Sequence, residues 1–241
     1  MRAMILAAGL GTRLGSLGRG TPKVLVEIGA RPLLAYQLEF LALHGVKRVV
    51  INVHHLAERV EAFVREYDGP LEVVCVREEE LLGTAGGVRN ALPELEPGPF
   101  LVLYGDVVVG QPLHPMLELH REREAVATIA VHEARGAEGK GVVDVDAHGR
   151  VTSFREKQAG AAGPVLINSG VYVLESPWIA AMPRGTVSDF GADLFPAALQ
   201  EGLSISTFRL SRPVIDIGTP EGLRAARSAL TQFPEGAPVE P

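Results

Sequence analysis

The stretch that most constrains this chain lies at its start, MRAMILAAGLGTRLGSLGRGTPK. Residues 3–8 are apolar and are followed at once by Gly9, Gly11 and Gly15, with Arg13 inside the glycine-rich stretch and Lys23 just after Pro22. Such a run reads as a buried strand of a parallel sheet. Glycines at its carboxyl end let the backbone turn sharply and approach a ligand without a Cβ in the way. Free N–H groups in a loop of this kind point at phosphate oxygens. Arg13 adds a planar fork of donors and Lys23 a mobile point charge. Together they describe a cradle for a polyanion, most simply a nucleoside triphosphate. Two common phosphate loops are excluded by spacing. The third glycine comes one position late for Gly-x-Gly-x-x-Gly, and no Gly-x4-Gly-Lys-Ser/Thr occurs.

Beyond this turn, strand-like and helix-like patterns alternate. Helical spacing of Leu33, Leu34, Leu38, Leu41 and Ala42 runs up to Gly45; residues 46–53 read as a strand, 56–67 as a helix and 70–76 as a third strand. Residues 83–87 precede a helix at 88–92, residues 99–104 form a strand ending in Gly105-Asp106, and 115–124 form a helix. From residue 126 the pattern turns hairpin-like, with strands at 126–132, 141–145 and 150–154 and a turn at Asp146-Ala147-His148-Gly149. A helix from 187 to 199, a strand at 204–210 and a helix at 221–230, with Thr219 as N-cap and Pro220 at the first helical position, complete the chain. The fold class expected is α/β: a Rossmann-like three-layer sandwich with a mostly parallel mixed central sheet and a small β-rich annex. Asp106 falls where α/β folds bind ligands, at the carboxyl end of a parallel strand. Thr219-Pro220 is accounted for by capping; Asp216 is not. His54, His55, His114 and His120 read as loop, surface or packing residues.

The pieces together resemble the sugar-1-phosphate nucleotidylyltransferases, and within them the mannose-1-phosphate and D-glycero-D-manno-heptose-1-phosphate guanylyltransferases. Residues 6–13 match that family's L-A-A/G-G-x-G-T-R, and Pro22-Lys23 fall at its spacing. Val24 replaces the proline that commonly follows, and Gly15-Ser16 stand where Arg-Pro is common. The resemblance extends from residue 3 to about 228 and implies a set of roles. Leu6, Ala7, Ala8, Gly9, Gly11, Thr12, Arg13 and Lys23 would hold the nucleotide phosphates. Gly83, Thr84 and Ala85 would contact base and ribose, and Glu78 or Glu79 would read the base edge. A carboxylate suits the two N–H donors of guanine better than the single one of uracil, which tilts the reading towards GTP. Asp106 and Asp216 would bind Mg²⁺. Glu156, Lys157, Asn168 and Gly170 would bind the sugar phosphate, with Arg13, Lys23 and Lys157 as the catalytic cations.

The implied activity is nucleotidyl transfer from a triphosphate to a sugar 1-phosphate, by Mg²⁺-assisted in-line attack. The alternatives are a UTP-dependent uridylyltransferase acting on an amino-sugar 1-phosphate, or a non-catalytic nucleotide-sugar sensor on the same fold. One domain is expected over residues 1–230. Residues 1–125 would mainly bind nucleotide, 126–230 would mainly bind sugar phosphate, and 231–241 would form a flexible tail. A formal net charge of −6 argues against nucleic acid as a partner. Cys75, the only cysteine, fits a reducing cytoplasm. No apolar run approaches a membrane span, and strand-like sequence from residue 3 leaves no signal peptide. Monomer and homodimer both remain open.

Overall fold

The computed structural model describes residues 1–11, 20–136, 140–156 and 163–230. In chain order the elements are β1 (Arg2–Leu6), β2 (Glu27–Ile28), β3 (Arg31–Pro32), α1 (Leu33–Leu43), β4 (Arg48–Val53), α2 (Ala57–Glu66), β5 (Glu72–Arg77) and α3 (Gly83–Leu95). They continue with β6 (Phe100–Tyr104), β7 (Val107–Val108), α4 (His114–Arg123), β8 (Ala127–Arg135), β9 (Val142–Val145), β10 (Val151–Arg155) and β11 (Pro164–Leu174). Last come α5 (Ser176–Ala180), α6 (Phe195–Gln200), β12 (Ile205–Arg209), β13 (Ile215–Asp216) and α7 (Pro220–Leu230). The chain forms two compact units. One comprises Met1–Leu81, Leu103–Pro112 and Val214–Pro241; the other comprises Leu82–Val102 and Leu113–Pro213.

In the first unit β4 lies between β1 and β5, parallel to both, with Leu6 opposite Asn52 and Asn52 opposite Val76. A strand flanked on both sides must be apolar on both faces, and Val49, Val50, Ile51 and Val53 are all buried. The two-residue strands β7 and β13 pair antiparallel, Asp216 opposite Val107 and Ile215 opposite Val108. This pairing is fixed by a core of Val26, Ile28, Leu33, Ile217, Leu223 and Ala226, which joins the start of α1 to the buried face of α7. Gln37 on α1 donates from Nε2 to the carbonyls of Tyr104 (3.0 Å) and Val107 (2.9 Å), holding the chain on either side of residue 106.

In the second unit β8 and β11 run antiparallel from Ala127–Leu174 to Arg135–Pro164, with a register shift between Asn168 and Tyr172. The β9–β10 hairpin continues this sheet through Leu166 opposite Val143, and β12 adds to β8 in parallel. The hairpin turn is closed by Asp146, whose Oδ1 accepts from the amides of His148 (2.8 Å) and Arg150 (2.9 Å). Tyr172, Phe190 and Phe195 pack with ring centroids 4.9–5.4 Å apart. His120 is buried between Thr128 Oγ1 (2.8 Å from Nδ1) and Glu175 Oε1 (3.2 Å from Nε2).

The chain is thus α/β with a mixed sheet, as expected. Three local expectations differ. The helix read at 88–92 starts five residues earlier, at Gly83. Gly86 there answers a packing need: a Cβ on it would meet the Thr186 carbonyl oxygen at 2.3 Å. The helix read at 187–199 is a π-helical turn, Phe190–Leu194, followed by α6. Residues 164–174, not assigned an element from sequence, form the longest strand described. Among the described residues no helix is long and apolar enough to cross a membrane.

Candidate functional site

Three predicted residues meet in the first unit. The Gly105 amide donates to the Leu6 carbonyl at 2.9 Å. A Cβ on Gly105 would lie 2.5 Å from that oxygen and 2.6 Å from Val24 Cγ1, so only glycine lets the chain pass here. The next residue, Asp106, accepts a 2.9 Å ion pair from Lys23 Nζ, with both side chains largely buried. Asp216 reaches the same place from β13. The Ile217 amide donates to the Asp106 carbonyl at 2.8 Å, and the Gly218 amide to Asp216 Oδ1 at 2.7 Å. A Cβ on Gly218 would lie 2.8 Å from Asp216 Oδ1 and 3.4 Å from Asp106 Oδ2, so both carboxylates border one small space. Two acidic side chains held together beside one ammonium have charge to spare for a cation. Among the described residues no group of three or more His, Cys, Asp or Glu side chains forms a complete metal cage. That donor set fits Mg²⁺, which takes one or two carboxylates and fills its remaining positions with water and substrate phosphate oxygens.

The amino-terminal turn begins beside this cluster. The Ala7 amide donates to Asn52 Oδ1 at 2.8 Å, a Cβ on Gly9 would meet nothing within 4 Å, and Gly11 has φ +69°. Thr12 and Arg13 lie outside the described residues. Of the two candidate base-reading glutamates, Glu79 is exposed and Glu78 is buried. Glu78 Oε1 accepts from Asn52 Nδ2 at 2.6 Å, and its carbonyl accepts from His54 Nδ1 at 2.8 Å. His54 therefore carries its proton on Nδ1. Asn52 went unassigned in the sequence. The signal for it was an amide in the otherwise apolar end of RVVINV, since a buried polar side chain must find partners.

The remaining described candidates lie in the second unit. Gly83, Thr84 and Ala85 form the first turn of α3, and the amides of Thr84 and Ala85 already have partners. The Thr84 amide and hydroxyl both donate to Asp189 Oδ1 at 3.0 Å, while the Ala85 and Gly86 amides donate to the Ser188 carbonyl at 2.9 and 3.0 Å. Asp189, another residue missed in the sequence, is the N-terminal clamp of this helix. Asn168 Oδ1 accepts from the Gly170 amide at 3.0 Å, its Nδ2 donates to the Tyr172 hydroxyl at 2.7 Å, and Gly170 has φ +68°. The neighbouring Ser169 hydroxyl lies 2.9 Å from His132 Nδ1, and burial pushes the imidazolium pKa of His132 below its ordinary value. Glu156 follows β10 and lies against Gly191, where a Cβ would come within 2.1 Å of its Oε1. Lys157 lies outside the described residues.

The family model for nucleotidyl transferases matches residues 2–232. UTP–glucose-1-phosphate uridylyltransferase of Synechocystis sp. is 34% identical over 96% of this chain and 64% of its own length. Mannose-1-phosphate guanylyltransferase 1 of Arabidopsis thaliana is 37% identical over 72% of this chain and 50% of its own length. The chain spans about half to two thirds of the length of these curated relatives. The crystal structure of HddC from Yersinia pseudotuberculosis complexed with GMP-PN superposes with a TM-score of 0.82 at 28% identity, over 95% of this chain and 99% of that one. Matched from residue 2 to residue 232 by one family, and over 96% of its length by a relative of the same kind, the chain belongs to the nucleotidyl transferase family.

Proposed function

We propose that this chain transfers a nucleotidyl group from a nucleoside triphosphate, with GTP favoured, to a sugar 1-phosphate. The observation that carries the reading is the meeting of Asp106, Asp216 and Lys23 beside the glycine turn that follows β1. In the reaction a phosphate oxygen of the sugar 1-phosphate forms a bond to the α-phosphorus. The bond from that phosphorus to the β-phosphate bridging oxygen breaks, and pyrophosphate leaves with the electron pair. The nucleophile is already an anion, so no strong general base is required. The obstacle is charge, and catalysis reduces to positioning and electrostatic relief.

Asp106 and Asp216 would hold Mg²⁺, which when bound neutralises phosphate charge and polarises the α-phosphoryl group. Arg13 stabilises charge on the departing pyrophosphate, and Lys23 and Lys157 hold the two phosphates in line. Lys23, paired with Asp106, stands where it would hold a substrate phosphate beside the metal that Asp106 would bind. The amides of the glycine turn beyond Ala7 receive the triphosphate and Glu78 the base. Glu156, Asn168 and the Gly170 backbone receive the sugar phosphate. Losing one such preorganised cation costs about 3 kcal/mol of barrier, roughly 10²-fold in rate. The single cysteine suits work in a reducing cytoplasm.

GTP is supported by the buried carboxylate at residue 78, by the guanylyltransferase relatives and by the GMP-PN in HddC. A UTP-dependent reading is favoured by the Synechocystis relative, which matches more of this chain. The test is pyrophosphate release with Mg²⁺ across four nucleoside triphosphates and a panel of sugar 1-phosphates that includes mannose 1-phosphate. Release with GTP is expected. Release with UTP alone transfers the assignment to the second reading, and no release with any pair overturns both.

A further inference from the structure

We propose that Asn52 is the positioning residue that sets base selectivity, by fixing the carboxylate plane of Glu78. This rests on the reading of residues 6–11 and 78 as a nucleotide site. Asn52 sits on β4, between β1 and β5, is 2% exposed and bonds to the residue that follows each of those strands. Its Oδ1 accepts from the Ala7 amide at 2.8 Å and its Nδ2 donates to Glu78 Oε1 at 2.6 Å.

Chemistry leaves the amide one orientation. A backbone N–H can only donate, so Oδ1 must face Ala7, and the NH₂ group is left to meet the carboxylate. Strand β1 thereby dictates which end of the amide Glu78 sees. Asn52 occupies one acceptor site of the Glu78 carboxylate. The contact also stops rotation about the last side-chain torsion, which is otherwise broad and two-fold. The backbone of Glu78 is held as well, through its amide to the Val53 carbonyl (2.9 Å) and its carbonyl to His54 (2.8 Å).

A carboxylate locked in this way presents adjacent acceptors in one plane, matching the N1–H and N2–H₂ donors on one edge of guanine. An exposed glutamate would have to be ordered by the nucleotide itself, and the ordering cost would erode the discrimination. The same amide holds the residue at which the phosphate turn begins, so base and triphosphate are registered to one side chain.

The test uses inosine triphosphate, which keeps N1–H and lacks the 2-amino group. For the wild-type chain the kcat/KM ratio of GTP to ITP, read by pyrophosphate release, is expected to be about 10- to 100-fold, the worth of one hydrogen bond to a charged acceptor. Asn52→Asp keeps an acceptor for Ala7 and turns a carboxylate towards Glu78; the ratio is expected to fall to within about 3-fold. Asn52→Asp/Glu78→Gln restores a donor–acceptor pair with reversed polarity. Its melting temperature should return towards wild type, which shows that Asn52→Asp disturbs this pair and not the fold around it; the selectivity readout is the ratio in Asn52→Asp, which a merely structural Asn52 would leave unchanged. If Asn52→Asp alone does not fold, Asn52→Ser, which keeps an oxygen for the Ala7 amide and offers no amide donor to Glu78, carries the test with the same expected fall in the ratio. Reduced turnover with an unchanged ratio in the Asn52 single variants overturns this inference and leaves the proposed function standing, as does a wild-type chain that turns over GTP and ITP equally. A wild-type chain that releases pyrophosphate from no triphosphate overturns the functional reading, and this inference with it.

Discussion

Gly218→Ala tests whether the two aspartates share an ion. Gly218 does not have a left-handed φ, so an alanine backbone is unstrained there. Its methyl group would sit 2.8 Å from Asp216 Oδ1 and 3.4 Å from Asp106 Oδ2, where ordinary contact begins at 3.4 Å. Asp216 Oδ1 must therefore withdraw by about 0.6 Å, roughly three times the ~0.2 Å latitude of a metal–ligand distance. Mg²⁺ and Mn²⁺ demand near-regular octahedra and absorb such a shift poorly. The clash is with the end of a side chain, so the fold should lose no more than about 1 kcal/mol, a melting shift of roughly 2–4 °C. Metal affinity should fall about 10-fold or more, equivalent to about 1.4 kcal/mol. The assay is a Mn²⁺ titration with a non-hydrolysable GTP analogue present, following free Mn²⁺ by paramagnetic resonance, with Asp106→Asn as the benchmark. A folded Gly218→Ala variant that binds Mn²⁺ as tightly as wild type refutes the shared site.

Burial holds the imidazolium pKa values of His120 and His132 below the ordinary 6.5. The unfolded chain therefore takes up protons that the folded one refuses. This contribution to stability is complete above about pH 6.5 and is lost as pH falls below it, by up to about 1.4 kcal/mol per unit for each histidine. Melting temperatures from pH 7.5 to 5 should show that fall and show less of it in His132→Asn; equal slopes in the two proteins would refute the assignment. Burial also pushes the Cys75 thiol up to about 11, so at pH 8 the folded chain should react with a disulfide reagent about 10²-fold more slowly than in urea. Equal rates in the two states would show the thiol to be unperturbed.

Much of the fold was legible because it rests on local periodicity. The apolar runs that became β1, β4 and β6, and the 3.6-residue spacing of α1, are properties of contiguous sequence. Asp106 and Asp216 could each be recognised at the end of an apolar run. What brings them to one glycine is the pairing of β7 with β13, two strands of two residues each, too short to carry a periodic signal. The glycines of 83–87 misled for a related reason. A glycine that marks a loop and one that admits a neighbouring backbone look the same in sequence, and Gly86 is the second kind, with Thr186 against it. The π-helical turn at Phe190–Leu194 has no compositional mark at all. Asn52 could be flagged as a buried amide, but its partners lie 45 residues before it and 26 after it. Strand register determines them, and register is a property of the assembled sheet.

The first unit is assembled from three separate stretches of chain, ending with the one that starts at Val214. Synthesis runs from the amino terminus, so β7 and its aspartate emerge more than a hundred residues before β13, their partner. Until then the nascent polypeptide carries one of the two carboxylates, and Leu33 at the start of α1 lacks the cover that Leu223 and Ala226 give it. A chain that ends short of residue 216 has no means of gathering the two carboxylates, so this cluster is among the last parts of the first unit that synthesis can complete.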